Sequence, residues 1–169
     1  GVYRMTQSPE LPWVAEGRKY IGLKEIPGAA TAAPIKSWLQ KLKAWWTDDE
    51  TPWCGVFVDN CLRTAGIEPP KDSFRAKAYL VMPIRLNIPA YGCIGVIERK
   101  GGGHVGIIVG KDAKGNLMLL GGNQNNQVSI AAFPASAFIG FRWPSVYPAP
   151  QRFVLPLLDS KGAVQVTTA

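Results

Sequence analysis

Nucleophilic chemistry has few places to reside in this chain: three cysteines, Cys54, Cys61 and Cys93, and one histidine, His104. Cys54 stands out by its setting. The run from Thr51 to Leu62 reads as a helix, with Thr51 suited to the N-cap and Pro52 to the first helical position. Cys54 then falls at the third position, among backbone N–H groups that lack helical partners and at the positive end of the dipole. That setting favours a thiolate, but a helix terminus contributes only about 0.3–1 kcal/mol. A thiol with an ordinary pKa of about 8.5 would stay mostly protonated at neutral pH on that basis alone. A proton acceptor is required, and His104 is the sole imidazole in the chain.

Gly101-Gly102-Gly103 precedes His104, and Val105 to Val109 continue as an apolar strand, so the imidazole is expected at a strand start with little bulk around it. The next strand returns through a turn at Asp112-Ala113-Lys114-Gly115. If Lys111 faces Asn116, His104 lies opposite Asn123, whose amide oxygen would accept from one ring nitrogen and leave the other for the thiol. A three-residue loop puts Gln124 there instead. One register step exchanges the faces of a strand, so both cannot serve the histidine from regular positions. Asn123 is favoured as the third residue, with Gln124 directed toward substrate or oxyanion. The chemistry would be nucleophilic attack on an amide through a thioester, with the Cys54 backbone N–H as an oxyanion donor.

The elements that must hold these groups follow in chain order. Trp13 to Ile21 and a segment opened by Pro34, with Ile35, Trp38, Leu39 and Leu42 recurring at helical spacing, read as helices, and Phe74 to Val81 as a shorter one. In the Cys54 helix, Val58, Cys61, Leu62 and Ala65 form an inner stripe with Phe57 beside it. Beyond Pro83 the pattern alternates, giving five short strands at 91–98, 104–110, 116–121, 127–131 and 137–143. Helices first and an antiparallel meander second is an α+β arrangement. The organisation expected is a lead-in over 1–10, one domain over 11–144, and a Pro-rich tail over 145–169 with an edge strand near Phe153 to Leu158.

Composition bounds the function. With 169 residues and 47% hydrophobic content the chain supports one packed domain. No apolar run reaches the roughly 18 residues of a membrane span, and no secretory signal is visible at the start. The formal charge of +7 implies anionic partners, yet Lys and Arg are scattered without a basic block, which disfavours nucleic acid. An odd cysteine count with no CxxC pair and one histidine disfavours disulfides and a metal site, and no cofactor is expected. Asp48-Asp49-Glu50 before the helix has two readings: complementarity to the positive helix end, or Asp49 or Glu50 holding a substrate amine. Trp53, Trp143 and Tyr91 could line a groove or fill the core. Cys61 reads as packing, and Asp59 as a cap or ion-pair partner.

Taken together, Asp49-Glu50-Thr51-Pro52-Trp53-Cys54, Gly103-His104-Val105-Gly106, Gly121-Gly122-Asn123-Gln124 and Gly140-Phe141-Arg142-Trp143-Pro144 resemble the NlpC-like and CHAP-like cell-wall cysteine peptidases of phage and bacteria. The resemblance spans residues 11–144. It implies a papain-like fold and hydrolysis of an amide bond in peptidoglycan, with Cys54, His104 and Asn123 at the triad positions and Trp53, Asp49 and Gln124 toward substrate. It further implies a monomer acting in the bacterial wall or periplasm as an endolysin, a tail-associated lysin or a delivered effector, the last with an immunity or inhibitor protein as partner. Many relatives carry Gly-Asp where this chain has Gly92-Cys93. Two other classes fit the same residues: a Cys-His acyltransferase or deamidase acting on protein, and a non-catalytic wall-binding module.

Overall fold

The computed structural model describes residues 10–25, 33–41, 53–100, 102–150 and 153–165. Three α-helices lead: α1 (Pro12–Lys19), α2 (Ala33–Lys41) and α3 (Cys54–Thr64), followed by a 3₁₀ turn at Ala76–Val81. Six strands follow: β1 (Ile84–Leu86), β2 (Ile94–Arg99), β3 (Gly102–Lys111), β4 (Leu117–Gln124), β5 (Gln127–Phe133) and β6 (Phe138–Trp143). They form one antiparallel sheet in the order β1-β6-β2-β3-β4-β5. The architecture is therefore α+β, as the order of patterns predicts. No helix among the described residues is long and apolar enough to cross a membrane.

α3 is the element around which the rest is packed. All nine residues from Cys54 to Leu62 are buried, so the helix has no wet face over that span, where the sequence suggests only an inner stripe. It packs against α1, α2, β3 and β4. Each of Val56, Phe57, Val58 and Leu62 is fully buried, and each contributes on the order of 1.5–3 kcal/mol by leaving water. The polar members are paired: Asn60 donates to Glu16 of α1 at 3.0 Å, and Asp59 accepts from Arg63 and Ser73.

β3 and β4 are buried on both faces, from His104 to Gly110 and from Leu117 to Gly122. Helices cover one face, and the C-terminal segment contributes to the cover elsewhere: Phe153 stacks on Trp143 at 5.7 Å, and Leu158 bonds through its N–H to the Lys111 carbonyl. That segment makes isolated bridges at Leu157 and Leu158, not the edge strand expected there.

Three further differences have local causes. β1 is only three residues long, too short for alternation to be detected, and it forms by pairing with β6. The helix expected over 74–81 is a 3₁₀ turn that begins after Arg75, whose backbone is extended. α3 opens at Cys54 with Trp53 as N-cap, so Cys54 occupies the first helical position and not the third. Thr51 and Pro52, expected to begin that helix, lie outside the described residues, as do Leu42, Asp49 and Glu50.

Candidate active site

The first helical hydrogen bond of α3 runs from the Phe57 N–H to the Trp53 carbonyl at 3.0 Å. The N–H groups of Cys54, Gly55 and Val56 lie ahead of it and are directed out of the helix end. The start of the helix is held from outside. The buried Tyr79 hydroxyl donates to the Gly55 carbonyl at 2.7 Å, while Ser73 donates to Asp59 one turn further on. Trp53 donates from its indole N–H to Glu25 at 2.9 Å. The thiol thus sits on a backbone fixed at several points.

Cys54 and His104 line the same cleft, of about 590 Å³, together with Asn123. Cys54 is 6% exposed and His104 1% exposed. Burial pushes the thiol up from its ordinary value, opposed by the Val105 and Gly55 backbone amides and by the Arg99 charge. Burial likewise depresses His104 to about 4, against a hydrogen bond to Gln124 that acts the other way; Arg99 adds to the depression. Both shifts favour the uncharged forms, thiol and imidazole, in the cleft that the two residues line. As the small contribution of a helix terminus leads one to expect, the dipole does not hold the thiol deprotonated, and at this position desolvation outweighs it.

Gln124 fixes which ring nitrogen is basic. Its amide nitrogen donates to the Leu119 carbonyl at 3.1 Å, the Ser129 carbonyl at 2.9 Å and the Ser129 hydroxyl at 3.1 Å. Two of those partners are carbonyls that can only accept, so the amide cannot be flipped. Its oxygen therefore faces His104 Nε2, at 2.9 Å, and Nε2 must carry the proton. Nδ1 is left with a lone pair. Phe133 covers the imidazole, with ring centroids 5.4 Å apart.

The partner of His104 is thus Gln124, where the sequence favours Asn123, and the register explains why. Lys111 faces Leu117, one residue beyond the expected Asn116; an irregularity around Val109 then restores the offset, so that Ile108 faces Leu119. The β3–β4 ladder extends to Ile107–Leu120, and the β4–β5 register shifts between Gly121 and Gln124. In that shift Asn123 adopts a left-handed backbone, with φ of 58°. Alternation of faces fails there, so Gln124 reaches the histidine while Asn123 still lines the cleft. The paired glycines make room: a Cβ on Gly121 would strike the Gln124 carboxamide, and one on Gly122 would lie 2.7 Å from Phe57 and from the Trp53 ring.

Other expected site residues are placed differently. Trp53 is fully buried and Trp143 is 1% exposed, so both are core and neither offers a face to a ligand. Tyr91 bonds Arg18 and Glu10 and is not part of the cleft. Gln124 is turned inward to the histidine and cannot also point at substrate. Asp49 lies outside the described residues. Cys61 and Cys93 are buried with their thiols pushed up by desolvation, Cys93 to about 12. Among the described residues no group of three or more His, Cys, Asp or Glu could hold a metal ion.

The cleft also contains residues that the sequence did not single out: Arg75, Lys77, Arg99 and Lys100. They come from two short stretches brought together by β2 and the 3₁₀ turn, a clustering hidden by their even spread along the chain. No protein-family model matches the chain, and no curated protein matches it.

Proposed function

We propose that the protein is a thiol hydrolase of papain-like type that cleaves an amide bond of bacterial peptidoglycan, acting in the wall or periplasm. The observation that carries this reading is a histidine locked by Gln124 that shares a cleft with a cysteine at a helix start. An imidazole with Nε2–H bonded to an immovable carbonyl presents Nδ1 as a base of fixed direction. Cys54 would give its proton to that nitrogen as the sulfur attacks the scissile carbonyl. Proton transfer coupled to attack suits two neutral, desolvated groups, because the imidazolium and the developing oxyanion then arise together. The Cys54 backbone N–H, at the open end of α3, supports the oxyanion. Collapse of the tetrahedral adduct breaks the C–N bond, and the imidazolium protonates the departing amine. Water, deprotonated by Nδ1, then attacks the thioester and releases the carboxylic acid and the thiol.

The order of a cysteine helix, a histidine strand and an amide acceptor on the next strand is that of papain-like hydrolases, with glutamine as acceptor here. The test is mass spectrometry of fragments released from purified peptidoglycan by the native protein and by Cys54→Ala. Fragments are expected from the native protein alone, with a rate ratio of about a thousandfold or more. Unchanged wall with a deamidated or cross-linked protein substrate would move the same residues to acyltransferase or deamidase chemistry. Equal wall binding by both forms without product would leave a binding module.

A further inference from the structure

The described cleft beside Cys54 is lined by four cations and no carboxylate. Only Lys77 has its charge met by an ion pair among the described residues, with Glu98 at 2.7 Å. Arg75 lies with its guanidinium carbon 5.4 Å from the centre of the Phe74 ring, and Arg99 lies 5.8 Å from that of Phe133. Phe133 is the ring that also covers His104. A guanidinium resting on an aromatic face keeps its planar fork of N–H donors for an anion, and that fork fits the two oxygens of a carboxylate. Like charges gathered at a concave surface repel one another, and an entering anion relieves the repulsion. Arg99 lines the same cleft as Cys54 and His104, and its side chain rests on the ring that covers the imidazole. An anion it holds therefore lies in the cleft where the bond would be cut. Phe74 and Ala76 supply apolar lining between the charges, which suits a peptide better than a uniformly charged polymer.

We infer that the substrate is an acidic peptide amide, with a free carboxylate flanking the scissile bond and docked between Arg75 and Arg99. The inference rests on Cys54 being the nucleophile, and it narrows the substrate class of that site.

The test uses matched stem-peptide fragments of peptidoglycan, one with free carboxylates and one with the same groups converted to amides. The native protein should cleave the free acid with a kcat/KM about tenfold higher. Arg99→Gln and Arg75→Gln should each shrink that ratio several-fold, chiefly through KM, and raised salt should do the same. Both arginines are exposed, so neither replacement removes core packing. Equal rates on the two substrates, or a preference indifferent to both substitutions, would overturn the inference while leaving the hydrolase reading intact. Should neither fragment be cut, equilibrium binding to Cys54→Ala reads the anion site separately. Tighter binding of the free acid, lost on adding Arg99→Gln, supports the site; equal binding of acid and amide, or tighter binding of a glycerol-phosphate oligomer, rejects it.

Discussion

The two ends of the β3–β4 pair are built on opposite terms. At the hairpin end, the Asp112 carboxylate accepts from the Lys114 and Asn116 backbones and from the Asn116 side chain, each at 2.9 Å, and the strands above it are apolar and paired, with one irregularity at Val109. At the cleft end the pairing stops, Asn123, Asn125 and Asn126 take left-handed backbones, and a buried histidine and glutamine bond each other. Asn125 and Asn126 make a two-residue turn with both φ values positive, as a type I′ hairpin requires. The first end closes a hairpin with local hydrogen bonds. The second gives up ladder regularity to aim side chains, and a polar network in such a place must be fully satisfied to be tolerated.

The largest effect that would break this contrast is a comparison of Gln124→Ala with Asn123→Gly. Gln124→Ala removes the group that sets the histidine tautomer, and kcat should fall by about a hundredfold to ten-thousandfold. It also leaves the Leu119 and Ser129 carbonyls and the His104 N–H without their partner, a loss on the order of 1–3 kcal/mol per buried group, visible in thermal denaturation. Asn123→Gly retains the left-handed backbone and removes only a cleft-lining side chain, so its rate should fall about tenfold or less. Equal losses in steady-state kinetics would restore Asn123 to the role the sequence favours. Ser129→Ala, which spares the Gln124 oxygen, is the control for network damage.

That contrast also marks what was legible in the sequence. Helices before an antiparallel sheet, the buried Cys54 helix and the cysteine and histidine that share a cleft all follow from periodicity and from there being one imidazole. The strand pattern was enough to place Val105 to Val109 and Leu117 to Leu120 on neighbouring strands, though not to give their register at the turn. It failed at Asn123, because a single positive φ exchanges which side chain faces the histidine, and Asn is tolerant of both conformations. The Trp53 face was illegible for another reason: an aromatic beside a nucleophile has the same sequence whether it meets a ligand or, as here, the ring of Trp38, which in turn packs on Phe57. The cationic cleft depended on contacts between residues about 25 positions apart, which scattered charge does not reveal.

Acidity should separate the two ends next. His104 has an ordinary value of 6.5 and is held near 4 when folded, chiefly by burial. Between those values the unfolded chain binds a proton that the folded chain refuses. This contribution is complete above about pH 6.5 and is lost as pH falls toward 4, on the order of 3 kcal/mol in all. Asp112 is lowered from 3.8, first by the Asn116 side chain, so the hairpin end keeps its contribution until pH falls below that value. Thermal denaturation from pH 7 to 3 should show the first loss in the native protein and not in a His104→Gln variant. The acid limb of kcat/KM should likewise lie near 4, since the base stays neutral at pH 5; a limb at 6.5 would mean a solvated imidazole.

The smallest effect tests the hairpin end alone. Gly115 closes the hairpin at φ of 84°, and its N–H bonds the Asp112 carbonyl at 3.1 Å. Around it nothing lies within 4 Å of where a Cβ would stand. Gly115→Ala therefore meets no clash, and its whole cost is the left-handed backbone, about 1 kcal/mol, partly offset by the smaller entropy of the unfolded alanine. In a domain of this size that is a fall in Tm of about 2–4 °C. Turnover should not change, because the irregularity at Val109 and the end of the ladder at Ile107–Leu120 stand between the turn and His104. A drop in kcat on Gly115→Ala would show that the hairpin register is transmitted through those breaks to the cleft, and that the two ends are not independent.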